Sequence, residues 1–120
     1  MNSPRKILLI DNAPDRKERI NAIKASGYAV FPALKMDEAR SRCMRGGYDL
    51  IVVNAGEQPE QALQFCDEIR QQCPKQNVLM SSNANPGRDY IVPADLDSIQ
   101  EAIDKKLRRE KAPSDYANAA

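Results

Sequence analysis

An α/β domain built on a parallel sheet is what this sequence predicts, and three observations carry the prediction. Short aliphatic runs alternate along the chain with segments of helical periodicity. The runs at residues 7–10 and 50–53 are apolar at every position, which buries both faces of their strands, as in sheets covered by helices on both sides. At 120 residues the chain can fill one sizeable core but not two comfortable ones. Right-handed helical crossovers between parallel strands then follow.

Taken in order, residues 6–10 make the first strand. Residues 15–26 follow as a helix, with Pro14 beside its first turn, Ile20, Ile23 and neighbouring alanines on the core stripe, and Gly27 as its stop. Residues 28–31 read as a weaker second strand closed by Pro32. Residues 37–45 form a short helix that turns Ala39 and Cys43 inward and ends at Gly46-Gly47. Residues 50–53 are the third strand. Pro59 suits the first position of a helix reaching about Cys73, where Leu63, Cys66, Ile69 and Cys73 recur at helical spacing with Phe65 beside them. Residues 78–80 give a fourth strand and residues 90–92 a short fifth. Leu96, Ile99, Ile103 and Leu107 mark one face of a last helix running to about Glu110, with Asp95 as its N-cap. The domain is set at residues 1–111, and residues 112–120, from Ala112 onward, are expected to be a disordered tail.

Composition excludes several classes of function. Lys plus Arg number 18 against 17 Asp plus Glu, a net charge of +1, which argues against a strongly basic nucleic-acid binder. The run Lys105, Lys106, Arg108, Arg109 and Lys111 is read as the solvated end of a helix. Histidine is absent, which removes Ser-His-Asp and Cys-His catalysis and His-ligated metals. Cys43, Cys66 and Cys73 form no Cys-x-x-Cys pair and are read as small apolar core residues in a reducing cytoplasm. The aliphatic runs fall far short of the roughly 20 residues of a membrane helix, and Asp11 ends the first too early for a signal peptide. A cytoplasmic protein with no membrane partner is expected.

In open α/β sheets the functional crevice lies beyond the carboxyl ends of the strands. Asp11-Asn12, Asn54 and Ser81-Ser82 sit just past the first, third and fourth strands, and they converge if those strands are neighbours. The stretch Ile7-Leu-Leu-Ile-Asp11-Asn12-Ala13-Pro14-Asp15, then Gly27-Tyr28, then Tyr48-Asp49-Leu-Ile-Val-Val-Asn54, resembles the receiver domain of bacterial response regulators. The segment Asp89-Tyr90-Ile91-Val92-Pro93 with Asp95-Leu96 is similar to that family's last strand and the start of its final helix. The likeness covers roughly residues 5–108.

The resemblance implies a flavodoxin-like, receiver-like three-layer sandwich with five parallel strands in the order 2-1-3-4-5. It also implies a site that accepts a phosphoryl group on an aspartate. That chemistry needs a carboxylate nucleophile, an acidic pair holding Mg²⁺, a Lys and a Ser or Thr hydroxyl. Matched position by position, Asp11 is the first of the acidic pair, and Asn12 stands where the second carboxylate belongs. The acceptor position is replaced by Asn54, a neutral amide that cannot form an acyl phosphate. Ser81 keeps the hydroxyl, but the Lys is gone, because Val92 runs straight into Pro93-Ala94. Tyr90 matches the aromatic that rotates on activation in the family. Asp11, Asn12, Asn54 and Ser81 are thus expected to form a vestigial phosphorylation pocket. No catalytic residue, no metal, no cofactor and no enzyme activity is implied, and the chain reads as a degenerate member, a pseudo-receiver.

A second departure concerns shape. Only eight residues, Ser82 to Asp89, separate the fourth and fifth strands, where a parallel crossover normally takes a dozen or more. Asn83-Ala84-Asn85-Pro86-Gly87 is turn material, so the family's fourth helix is expected to be missing or reduced to a turn; the alternative is that residues 90–92 are only an irregular edge. Loss of that cover is expected to bare apolar surface beside the fourth and fifth strands. Such a surface would favour a protein partner, or a homodimer through the face of strand four, strand five and the last helix. The leading expectation is a signalling module that works without phosphorylation, by protein–protein contact, in a bacterial two-component-type pathway. Two competitors stay open: a small-molecule or redox sensor using the strand-end crevice, and a residual receiver modified by an atypical route on Asp11 or Ser81.

Overall fold

Strict alternation along the aliphatic strands sorts the core into two halves, one on each side of a sheet. The computed structural model describes residues 4–84 and 87–107. Within them the elements run β1 Lys6–Ile10, α1 Arg16–Ala25, β2 Ala29–Ala33, α2 Met36–Arg45, β3 Leu50–Asn54, α3 Pro59–Gln72, β4 Val78–Ser81, β5 Ile91–Val92 and α4 Leu96–Leu107. The five strands pair in parallel in the order β2-β1-β3-β4-β5. Ile7, Leu9, Leu50, Val52 and Leu79 face one way, onto Ile23 of α1 and Ile99, Ile103 and Leu107 of α4. Leu8, Ile10, Ile51, Val53 and Met80 face the other, onto Ala39 and Cys43 of α2 and Ala62, Phe65, Cys66 and Ile69 of α3. Full burial of each such side chain contributes about 1.5–3 kcal/mol, which is why the consecutive apolar runs hold the centre of the sheet.

Three differences from the sequence reading have local causes. β2 does not close at Pro32 but runs on to Ala33. It is an edge strand, and the N–H of Ala29 donates inward to the Arg5 carbonyl. Alternation therefore turns position 32 outward, where a missing N–H leaves no gap in the ladder, and the outward Pro32 carbonyl accepts from Arg42 Nη1 at 3.0 Å. On α1, Ile23 is buried and Ile20 only half-buried, and Arg19 takes the second buried place on that face. β3 and β4 each extend one residue further than read, to Asn54 and Ser81, and those two residues are register partners.

Helix ends follow their signals. Gly27 and Gly46, at φ +100 and +75, occupy the left-handed region just past α1 and α2, which costs glycine little. Asp95 caps α4, its Oδ2 accepting the Ser98 N–H at 2.9 Å. That bond and the Ser98 hydroxyl hold the Asp95 carboxyl below its ordinary range. Cys43 and Cys66 are buried and Cys73 half-buried. Burial pushes the Cys66 thiol up to about 12 and the Cys43 thiol up to about 11.

No helix lies between β4 and β5 among the described residues, yet Ile91 and Val92 pair in register with Met80 and Ser81. The short fifth strand is thus part of the sheet. On the α3 side of the sheet the apolar surface expected beside it is not bare. The large hydrophobic residues exposed among the described ones are Phe31, Leu34 and Met44, on β2, the loop after it and α2. Beside β4 and β5 the cover comes from Tyr90, which is 3% exposed and packs into the α2/α3 half of the core. Its hydroxyl donates to Asp67 Oδ1 of α3 at 2.9 Å, and the Arg70 guanidinium carbon lies 4.4 Å from its ring centroid. Arg88 Nη1 donates to the same Asp67 oxygen at 3.2 Å. The end of the last helix beyond Leu107, the cations Arg108, Arg109 and Lys111, and the tail at 112–120 lie outside the described residues. No helix among the described residues is long and apolar enough to cross a membrane.

Candidate functional site

Parallel register brings the three strand ends together. β1 and β4 flank β3, so Asp11, Asn54 and Ser81 end neighbouring strands on the same side of the sheet. The Asp11 N–H donates to the Ala33 carbonyl at 3.0 Å, and the Ala55 N–H to the Ser81 carbonyl at 2.9 Å, which fixes the backbone on both flanks. Asp11, Asn54 and Ser81 are all buried.

Their side chains form one hydrogen-bonded line. Ser81 Oγ donates to Asn54 Oδ1 at 2.9 Å, and Asn54 Nδ2 donates to Asp11 Oδ1 at 3.1 Å. An amide suits position 54 because it accepts at one end and donates at the other. A carboxylate there could not donate to Asp11 and would set like charges side by side. Asp11 Oδ1 also accepts the Ala13 N–H at 3.0 Å, which fixes the turn leading into α1. Asn12 does not join the line; it is exposed beside the β3–α3 loop.

The fourth member was missed from the sequence. Arg19, 8% exposed on α1, reaches both oxygens of Asp11, through Nε to Oδ2 and through Nη2 to Oδ1 at 3.1 Å. The same Nη2 donates to Asp15 Oδ1 at 2.7 Å. The bond to Asp11 raises the pKa of Arg19, and the Arg19 bond lowers that of Asp15. Among the described residues no buried side-chain nitrogen or oxygen lacks a partner. The signal that could have found Arg19 is its position: four residues before Ile23, it shares the apolar stripe of α1, and a cation there requires a buried acid.

This donor set does not fit the Mg²⁺ that the resemblance implies. A hard dication needs several charged or carbonyl oxygens and gives up its waters reluctantly. Asp11 is already taken by Arg19, Asn54 and Ala13, and Asn12 and Asn54 carry no charge. Above the line opens a crevice of about 320 Å³, lined by Asn12, Lys35, Asp37, Gln58 and Gln61 over Ile10, Met36 and Ala55. Tyr90 stands apart from this site, its hydroxyl pKa pushed up to about 12 by burial and by its bond to Asp67.

No protein-family model matches the chain, and no curated protein does so either. Solved structures do. The response regulator TrrA of Thermotoga maritima in complex with Mg²⁺ and beryllofluoride superposes with a TM-score of 0.74 at 23% identity, over 86% of this chain and 99% of that one. A CheY-like receiver domain protein of Methanospirillum hungatei gives 0.73 at 16% identity, over 92% and 99%. The signal receiver domain of an HD-domain protein of Pseudomonas fluorescens gives 0.71 at 15%, over 96% and 95%. The fold is that of response-regulator receiver domains, the flavodoxin-like five-stranded sandwich expected from the sequence.

Proposed function

We propose that this chain is a receiver-like signalling module that works without phosphorylation, through contact with a protein partner. The observation that carries the reading is the closed line Arg19–Asp11–Asn54–Ser81, in which the acceptor position holds an amide whose oxygen and nitrogen are both engaged. With no nucleophile there, no acyl phosphate forms, and the pocket serves as a fixed junction between β1, β3, β4 and α1.

Protein contact is the remaining currency for such a fold. TrrA of Thermotoga maritima has been solved in complex with the histidine kinase ThkA, and a signalling protein is the proposed partner class here. The proposed contact face is the groove of about 550 Å³ between β5 and α4, lined by the apolar Leu79, Val92, Pro93 and Ala102 and by charges of both signs, Asp89, Glu101, Lys105 and Lys106. The same face is the proposed seat of a homodimer. It lies on the α4 side of the sheet, away from the place where a helix is missing.

The test is incubation with Mg²⁺ and acetyl phosphate followed by intact mass, with light scattering on a sizing column in the presence and absence of beryllofluoride. Unchanged covalent mass and unchanged particle mass are expected. A stoichiometric phosphoryl adduct on Asp11 or Ser81 overturns the reading. The strand-end crevice supports a second reading, a small-molecule sensor, because its amide- and lysine-lined volume falls at the small end of the ligand-pocket range of about 300–1,000 Å³. A ligand that raises the melting temperature of the wild type but not of Gln58→Ala or Lys35→Ala would favour it.

A further inference from the structure

Arg19 is bonded to the carboxylate that the receiver resemblance makes a Mg²⁺ ligand, and the mismatch between the implied Mg²⁺ and the residues present has a consequence. Among the described residues Asp11 and Arg19 are the buried charged pair. The guanidinium spans both oxygens of the one carboxylate that survives from the family's acidic set. Its third contact, to Asp15, pins it from the N-cap position of its own helix. A divalent cation approaching Asp11 would meet a fixed positive charge and a carboxylate that already accepts three bonds at Oδ1 and the Arg19 Nε bond at Oδ2. The oxygens next in the line, Asn54 Oδ1 and Ser81 Oγ, are neutral and hydrogen-bonded to each other, and Asp37, the other carboxylate lining the crevice, is exposed and paired with Arg40.

We infer that Arg19 is the resident cation of this crevice, a covalently attached substitute for the metal that shuts Mg²⁺ out while it holds Asp11 in place. Asp11 is then the partner of Arg19 rather than a leftover metal ligand. α1 is tied to the end of β1 by that pair whatever the metal concentration. The inference rests on the reading of the pocket as closed to phosphorylation and extends it from the phosphoryl group to the cation. Arg19 is a positioning residue, and its signature is competition with a divalent ion: remove the guanidinium and Asp11 becomes free to take one.

The experiment follows thermal unfolding of the full chain with and without 10 mM Mg²⁺, against NaCl of equal ionic strength. The variants are Arg19→Met, which keeps the packed stem, and Arg19→Met with Asn12→Asp, which restores a second carboxylate. The wild-type midpoint is expected to move by less than about 1 °C, within the scatter of an ion that does not bind. Both variants should melt well below the wild type. Mg²⁺ should return about 6 °C to the double variant, the rise expected of a ligand near ten times its dissociation constant, and less to the single one. Where Arg19→Met does not fold, Arg19→Gln in the same two backgrounds gives the same readout. A wild-type midpoint that climbs with Mg²⁺ overturns the inference, as does a complete absence of Mg²⁺ rescue in every variant, which would make Arg19 a packing residue only. Failure of the functional reading looks different, because it appears as a covalent adduct in the intact mass rather than as a shift in melting.

Discussion

The strand-end crevice and the β4–β5 connection both depart from what the receiver resemblance implies, a metal site in one and a helix in the other, and what stands in its place differs between the two. In the crevice the replacement is ionic and buried: Arg19 and Asp11 show 10% and 2% side-chain exposure. At the connection the replacement is an aromatic ring with charges on its outer side: Tyr90 is buried, whereas Arg88 and Asp67 show 48% and 36% side-chain exposure. Similar ion pairs therefore carry different weight in the two places. Water screens the outer pair, and such pairs contribute about 0–1 kcal/mol. A buried pair is little better than a well-packed apolar one while intact, yet loss of one partner strands a charge out of water. The crevice depends on its charges, and the connection depends on its ring.

Asp11→Ala is the sharpest test of that contrast. It leaves the Arg19 guanidinium with only Asp15 and deprives Asn54 Nδ2 and the Ala13 N–H of their acceptor. A loss of about 3–5 kcal/mol is expected from the stranded charge, read from urea unfolding at neutral pH. A loss below about 1 kcal/mol would show that water reaches the pair and would dissolve the distinction between the two regions.

Tyr90→Ala is expected to rank next, at about 3 kcal/mol, the usual cost of removing a buried aromatic ring. It takes away the ring that covers the space beside β4 and β5, so pairing of Ile91 and Val92 with β4 should weaken as well. Faster amide exchange at Ser82, whose N–H donates to the Val92 carbonyl at 2.9 Å, checks this directly. The same ring gives a pH dependence with a definite sign. The hydroxyl pKa is raised from 10 to about 12 in the folded chain by burial first and Asp67 second. Its contribution is thus complete below pH 10 and lost as pH climbs through about 12. Tyr90→Phe should flatten that alkaline limb and cost about 0.5–1.5 kcal/mol at neutral pH, the range of one hydrogen bond.

The two regions were unequally legible in the sequence, and the reason is the range of the contacts. Asp11, Asn54 and Ser81 could be placed together because each ends an aliphatic run and parallel register does the rest. The missing helix could be read from the shortness of residues 82–89, a purely local fact. What fills each gap could not be read in the same way. Arg19 looks like an ordinary helix-surface cation until Asp11, eight residues earlier, is known to be buried beneath it. The Tyr90 ring that covers β4 and β5 is held by Asp67 and Arg70, on a helix that precedes β4, and no spacing rule links them to it. The expectation of bare apolar surface failed on the α3 side for that reason: the missing helix is legible in the sequence and the ring that takes its place is not. Pro32 misled more simply, because proline stops a central strand but not an outward position on an edge.

Arg88→Ala carries the smallest expected effect and separates ring from charge at the connection. Its Nη1 bond to Asp67 at 3.2 Å joins two partly exposed side chains, so its loss should cost no more than about 0.5 kcal/mol. Asp67 keeps the Tyr90 hydroxyl as a donor after the change, and Arg70 stays over the ring. The ring should therefore remain buried, and the Arg88→Ala unfolding midpoint should barely respond to salt between 50 mM and 500 mM. A cost near that of Tyr90→Ala would instead mean that Arg88 is what holds the ring down. The connection would then rest on its charges as the crevice does, but on exposed ones, and it alone would weaken as ionic strength rises.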